Sequence, residues 1–66
     1  MRVIANGDEV ELPDGAGLLD LFDRLGVGAK WVVAEVNGEA IARADMAGVR
    51  LAEGDRVELV RAVAGG

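Results

Sequence analysis

The sequence predicts an α+β fold in which one helix covers one face of a mixed β-sheet. Two Asn-Gly pairs, Asn6-Gly7 and Asn37-Gly38, each lie between two short runs rich in apolar residues, a pattern typical of tight β-hairpins. Between residues 16 and 25 the apolar residues change to a helical spacing. The resulting order is strand, strand, helix, strand, short strand, strand.

The first hairpin joins a strand at residues 2–5 to a strand at residues 9–12. Both residues of an Asn-Gly pair accept the positive φ angles of a type I′ turn. The alternation directs Glu9 and Glu11 toward water and the apolar side chains toward a core. Residues 13–15, Pro-Asp-Gly, end the second strand. The residues expected to point inward are Val3, Ala5, Val10 and Leu12.

The predicted helix spans residues 16–25. Asp14 is the nearest candidate for its N-cap, and Gly17 costs about 1 kcal/mol relative to Ala inside a helix. Gly26 is expected to end the helix in a left-handed conformation. The apolar stripe consists of Leu18, Leu21, Phe22 and Leu25, with Leu19 at its edge.

Three further strands are expected at residues 31–36, 39–41 and 56–60. The first of them alternates, with Val32, Ala34 and Val36 inward. The segment 43–51 has no clear period. The apolar residues that we expect to fill the adjacent end of the core are Met46, Val49 and Leu51.

One arrangement of these elements suits so short a chain. The helix returns the chain so that the last strand lies parallel to the first in the middle of the sheet, which is the ubiquitin-like β-grasp. We expect a mixed sheet of about four to five strands with one main helix on one face. Residues 1–62 are predicted to form this domain, and residues 63–66 a flexible tail ending in Gly-Gly.

The composition excludes most catalytic chemistries. The chain has 66 residues and contains no His, Cys, Ser, Thr or Tyr, which leaves carboxylates and one lysine, Lys30, as reactive side chains. Triads and histidine or cysteine metal sites are therefore impossible. A domain of this size can hardly enclose a substrate pocket between two acids. We expect a protein that is not itself an enzyme and binds no metal.

Charge and hydropathy limit the partners. The net charge is −5, whereas nucleic-acid-binding proteins carry basic patches. An acidic surface favours docking onto a basic protein surface, although it also simply keeps a small protein in solution. No apolar run is long enough to span a bilayer, and the N-terminus lacks the pattern of a signal peptide. The expected location is the cytoplasm, with neither membrane nor nucleic acid as a partner.

Gly65 and Gly66 stand at the end of the sequence, where a glycine pair has no role in turning or capping the chain. Without side chains, they form a thin peptide that can thread a narrow channel in another protein and present a carboxylate there. Two terminal glycines also occur by chance in roughly half a per cent of proteins, so the pair alone is a weak signal.

Several short motifs follow one another along the chain. They are the first Asn-Gly pair, Leu12-Pro13-Asp14-Gly15, the leucine-rich helix closed by Gly26, Val36-Asn37-Gly38-Glu39, Glu53-Gly54-Asp55-Arg56-Val57-Glu58 and Val63-Ala64-Gly65-Gly66. In this order they resemble the sulfur carrier proteins of thiamin biosynthesis over the whole chain. The chain differs from the family at Ala42 and Met46, where proline and an aromatic residue are frequent, and at Trp31, where a small residue is common. These differences concern the partner surface and not the tail.

The resemblance implies a chemistry for the tail. An E1-like adenylyltransferase uses ATP to convert the Gly66 carboxylate into an acyl-adenylate. A persulfide from a cysteine desulfurase or sulfurtransferase system then displaces AMP, which leaves a C-terminal thiocarboxylate (1-thioglycine). Thiazole synthase takes up the sulfur. Gly65 and Gly66 are the implied sulfur-carrying terminus, and the carrier itself binds no cofactor.

Three outward apolar residues are the candidate docking surface for the adenylating enzyme. The β-grasp strand order makes the first, last and third strands neighbours, so we expect Ile4, Val60 and Val33 to lie side by side on the face without the helix. Scattered surface apolar residues are the alternative. Lys30 is interpreted as a solvated charge. Trp31 is placed at the edge of the core.

Other interpretations of the sequence stay open. The small subunit of molybdopterin synthase shares the fold, the tail and the adenylation step, but is usually longer. Carriers for other sulfur pathways, such as tRNA thiolation, have the same features. Two interpretations of a different class are a ubiquitin-like protein modifier and a non-catalytic β-grasp interaction module.

Overall fold

The structure, a computed structural model, describes residues 1–61. The predicted tail at residues 63–66 lies outside this range, and Gly65 and Gly66 with it. Two 3₁₀ turns, Ala29–Trp31 and Arg43–Gly48, connect the main elements. Within the described range these elements are β1 Arg2–Ala5, β2 Asp8–Glu11, α1 Leu18–Leu25, β3 Val32–Val36, β4 Glu39–Ile41 and β5 Arg56–Arg61.

The described strands form one five-stranded mixed sheet in the order β2-β1-β5-β3-β4. β5 lies in the middle, parallel to β1 and antiparallel to β3. The two hairpins, β1–β2 and β3–β4, are antiparallel. This arrangement confirms the predicted α+β class and the central position of the last strand.

Both hairpins turn at the predicted Asn-Gly pairs. Asn6 and Asn37 have φ angles of 50° and 51°, and the glycines that follow them have φ angles of 86° and 84°. Positive φ at both central residues is the requirement of a type I′ turn. The two turns therefore fix the registers in which Val3 pairs with Val10 and Val36 with Glu39.

The core lies between α1 and one face of the sheet, and all buried side chains within residues 1–61 are apolar. The expected inward residues of β1 are buried, as are those of β3 except Val36, which is half-buried at the end of the strand. The helical stripe is buried except Leu25. Met46 and Leu51 fill one end of the core, as predicted for the segment without a clear period. The buried set is Val3, Ala5, Leu12, Ala16, Leu18, Leu21, Phe22, Val32, Ala34, Met46, Leu51 and Val57.

The start of α1 differs from the prediction. Gly17 is the N-cap, and its amide donates to the Oδ2 atom of Asp20 at 2.7 Å, where Asp14 had been expected to cap. Asp14 instead lies 3.2 Å from the amino group of Met1. Gly17 therefore stands outside the helix interior and does not carry the penalty of a helical glycine. The helix ends as predicted, at Gly26 with a φ of 73°.

Candidate functional site

The candidate site is the end of β5, from which the predicted carrier tail continues. On one edge, β5 pairs with β3 up to Val32–Arg61. On the other edge, pairing with β1 stops at Ala5–Val57. Residues 58–61 thus extend past the end of β1 while β3 still supports them.

The side chain of Asn6 contacts this extension of β5. Its Oδ1 atom accepts from the Leu59 amide at 2.7 Å, and its Nδ2 atom donates to the Leu59 carbonyl at 3.2 Å. Asn37 holds the start of the same strand, because its Oδ1 atom accepts from the Arg56 amide at 3.0 Å. Sequence reasoning assigned both asparagines to turns alone. The Asn-Gly signal predicts the backbone but does not reveal which strand lies within reach of the side chain.

The face of the sheet that α1 does not cover carries the predicted docking residues. Val33 and Val60 are cross-strand partners and are 53% and 64% exposed. We refer to these two side chains as the valine pair. Their position beside each other agrees with the expectation that they form one apolar surface at the tail end of β5.

Ile4 does not join the valine pair, which corrects the expectation of three residues side by side. Ile4 pairs with Arg56, four residues before Val60 on β5. The acidic pair Glu35–Glu58 lies between them on the strands. The parallel register of β1 and β5 causes this separation, and a register of this kind is not evident from the sequence.

Trp31 lies at the same end of the sheet, directly before the Val32–Arg61 pair. It belongs to a 3₁₀ turn and not to the strand, and it is 50% exposed. The Lys30 ammonium group lies over the indole ring, 5.4 Å from the ring centre, which is a cation–π distance. Trp31, Val32 and Arg61 line a shallow cleft with residues 26–28. Trp31 is thus more exposed than its predicted place at the core edge implies.

The far end of the uncovered face is charged. Arg2 lies 3.3 Å from Glu9 and 3.2 Å from Glu11. The hydrogen bond that the Arg2 Nε atom donates to Glu11, together with the charge of Glu9, raises the pKa of the Arg2 guanidinium. These ion pairs are exposed and contribute little to stability. The exposed large apolar side chains of the uncovered face, Val33 and Val60, thus lie at the opposite end, the tail end of β5.

Within residues 1–61, no group of acidic side chains is arranged to hold a metal ion. No helix of this part of the chain has the length and apolar character needed to cross a bilayer.

The chain matches the model of the ThiS family over residues 1–66. It belongs to the ThiS family. The crystal structure of the thiamine biosynthesis protein ThiS from Geobacter metallireducens is similar over 100% of both chains, with 28% identity and a TM-score of 0.83. The solution structure of a thiamine biosynthesis protein from the same organism matches 100% of this chain and 88% of its own, with 29% identity and a TM-score of 0.79. Among curated proteins there is no match.

Membership in the ThiS family confirms two predictions made from the sequence. The motifs identified the family of thiamin-biosynthesis sulfur carriers, and the order of elements identified the β-grasp fold. The roles of Gly65, Gly66, Ile4, Val33 and Val60 stay predictions.

Proposed function

We propose that this ThiS-family protein carries sulfur for thiazole formation on the carboxylate of Gly66. The observation that supports the proposal is the family match, which extends through Gly65 and Gly66 to the last residue of the sequence. The position of β5 agrees with it. β5 is the central strand, and its pairing with β3 up to Arg61 makes it a fixed base from which residues 62–66 can be offered to a partner.

A carboxylate is a poor electrophile, so the transfer needs activation. In the proposed reaction, a Gly66 carboxylate oxygen attacks the α-phosphorus of ATP on an adenylyltransferase, and pyrophosphate leaves. A persulfide then attacks the activated carbonyl carbon, and AMP leaves. A thiol cleaves the sulfur–sulfur bond of the acyl disulfide, which frees the thiocarboxylate. The partner enzymes bind the ATP and deliver the sulfur. We expect all of these reaction steps to take place in the cytoplasm.

The carrier contributes position and access to this chemistry. Gly65 and Gly66 add no side chains, so a narrow channel can enclose the backbone close to the reacting carbon. We therefore propose that the protein is a co-substrate of its partners and not a catalyst.

The valine pair is the proposed dock for the adenylyltransferase. Exposed apolar side chains that adjoin one another on an uncovered sheet face gain stability when a partner covers them. Val60 is six residues from Gly66, so an extended chain spans at most about 22 Å between them. One partner can therefore hold Val33 and Val60 while the terminus reaches its ATP site. The net charge of −5 favours a basic surface around this dock.

The test of the function is where the sulfur goes. Carrier that bears the thiocarboxylate is incubated in one sample with thiazole synthase and its organic substrates, which accept the sulfur. A second sample contains the large subunit of molybdopterin synthase and its substrate. Intact mass follows the return of the thiocarboxylate to a carboxylate. We expect sulfur loss and thiazole formation with thiazole synthase. Transfer only to the molybdopterin enzyme would contradict the thiamin assignment, and attachment of the carrier to lysines would indicate a protein modifier.

A further inference from the structure

On the edge of β5 that faces β1, backbone pairing ends before the strand does. The last backbone hydrogen bond on this edge runs from the Asn6 amide to the Val57 carbonyl at 2.9 Å. The chain then turns at Asn6-Gly7 and leaves the edge. The amide and carbonyl of Leu59, two residues further along β5, therefore have no strand beside them.

The Asn6 side chain occupies the place of the missing strand. Its carboxamide has one acceptor and one donor in a plane, like a peptide group, and both contact Leu59 at 2.7 and 3.2 Å. The backbone and side chain of one residue thus bind Val57 and Leu59. We call the two side-chain contacts with Leu59 the Asn6 clamp.

We infer that Asn6 is a positioning residue that sets the direction in which the tail leaves β5, an inference that rests on the proposed function. β3 alone holds one edge up to Arg61. With the clamp, the strand is fixed on both edges as far as Leu59, seven residues before Gly66. A small rotation of the strand at this point moves Arg61, the last described residue, from which residues 62–66 continue. Misplacement of a reacting group by 1 Å can reduce a rate by about a hundredfold.

The chain offers a variant that removes the clamp without altering the turn. Asn6 has a φ angle of 50°, which glycine adopts freely, so Asn6→Gly permits the same turn and deletes the side chain that carries the carboxamide. Asn37→Gly is the matched control. Asn37 has the same φ region in the same kind of turn, and it binds Arg56 at the opposite end of β5.

Two measurements test the inference on the full chain. Hydrogen exchange followed by NMR reports whether the clamp holds the strand. We expect the Leu59 amide to exchange at least about tenfold faster in Asn6→Gly, beyond any change in global unfolding, and to be unaffected in Asn37→Gly. Steady-state adenylation and thiocarboxylate formation report the consequence for the tail.

In these kinetics we expect Asn6→Gly to lower kcat by about tenfold to a hundredfold with little change in KM, because the valine pair is intact. Asn37→Gly should stay within about twofold of the wild type. A merely structural role would affect both variants alike. If Asn6→Gly does not fold, Asn6→Asp keeps the acceptor for the Leu59 amide and loses the donor, and a smaller loss of kcat is expected.

The outcomes separate the inference from the proposed function. Failure of the wild-type protein to accept sulfur would overturn the proposed function. If the wild type accepts sulfur, three results would overturn the role of Asn6 alone. They are an unchanged kcat in the Asn6 variants, equal losses of kcat in Asn6→Gly and Asn37→Gly, and an unaltered exchange rate of the Leu59 amide.

Discussion

Gly17 determines how closely the start of α1 approaches the segment that follows the second 3₁₀ turn. A β-carbon built at Gly17 would lie 2.8 Å from the Val49 carbonyl oxygen, closer than real contacts allow. The same oxygen accepts a hydrogen bond from the Leu18 amide at 3.0 Å. The helix is thus attached to this segment through a contact that only glycine permits.

We predict that Gly17→Ala destabilises the protein by about 1–3 kcal/mol, the usual cost of forcing an extra group into a packed site. Gly48→Ala is the control, because a β-carbon at Gly48 meets no atom within 4 Å. Its effect should stay within about 0.5 kcal/mol. Denaturant unfolding measures both, and equal stabilities would show that the contact with Val49 is not restrictive.

A second residue-scale prediction concerns Glu35 and Glu58, which are directly opposite on the uncovered face. Like charges at such positions repel, and opposite charges attract, by about 0.2–1 kcal/mol. Glu58→Lys should therefore stabilise the fold. Glu39→Lys makes the same change in net charge opposite the apolar Val36 and should stabilise it less. Thermal unfolding at low salt compares the two, and an equal gain would mean that only net charge matters.

At the scale of elements, alternation and helical spacing predicted the strands and the helix because these periods follow from local backbone geometry. What failed depended on contacts between distant segments. The N-cap is Gly17 and not the predicted Asp14, because the Asp20 side chain accepts a hydrogen bond from the Gly17 amide. Ile4 was separated from the valine pair by the register of two strands far apart in sequence. The Asn6 clamp was not predicted for the same reason, because Asn6 and Leu59 are far apart in the sequence.

The element-scale prediction concerns the uncovered face of the sheet as a dock. Val60→Asp should sharply raise the KM for the adenylyltransferase, because it puts a charge into the apolar contact, while stability changes by only about 0.5 kcal/mol. Leu19→Asp is the control on α1, where Leu19 is 40% exposed and an acidic residue suits the first helical turn. Unchanged adenylation by a folded Val60→Asp protein would exclude the valine pair as the dock.

At the scale of the whole molecule, one helix covers one face of the sheet and leaves the other face uncovered. The buried side chains of residues 1–61 are all apolar. β5 lies in the centre of the sheet, and its last residues extend past the end of β1. Gly65 and Gly66 could be proposed from the sequence because their chemistry depends on the absence of side chains. Their structure lies beyond the residues described.

At this scale we predict that Gly65→Val abolishes thiocarboxylate formation and leaves the melting temperature almost unchanged. A side chain at this position would have to enter the partner's channel, and a β-carbon removes the positive-φ conformations open to glycine. Ala64→Val makes a similar increase in size one residue earlier and should have the smaller effect. Full activity of a Gly65→Val carrier would contradict a channel that requires glycine.

The most direct test of the carrier function is the mass of the terminus after reaction with ATP, adenylyltransferase and sulfur donor. Trypsin cleaves after Arg61 and releases residues 62–66 as one peptide, so the sulfur can be located. We predict that one oxygen is replaced by sulfur in this peptide. A protein that lacks Gly66 should gain none, because its carboxylate is withdrawn by about 3.3–3.6 Å. Sulfur found elsewhere in the chain, or accepted at the shortened end, would contradict Gly66 as the carrier of sulfur.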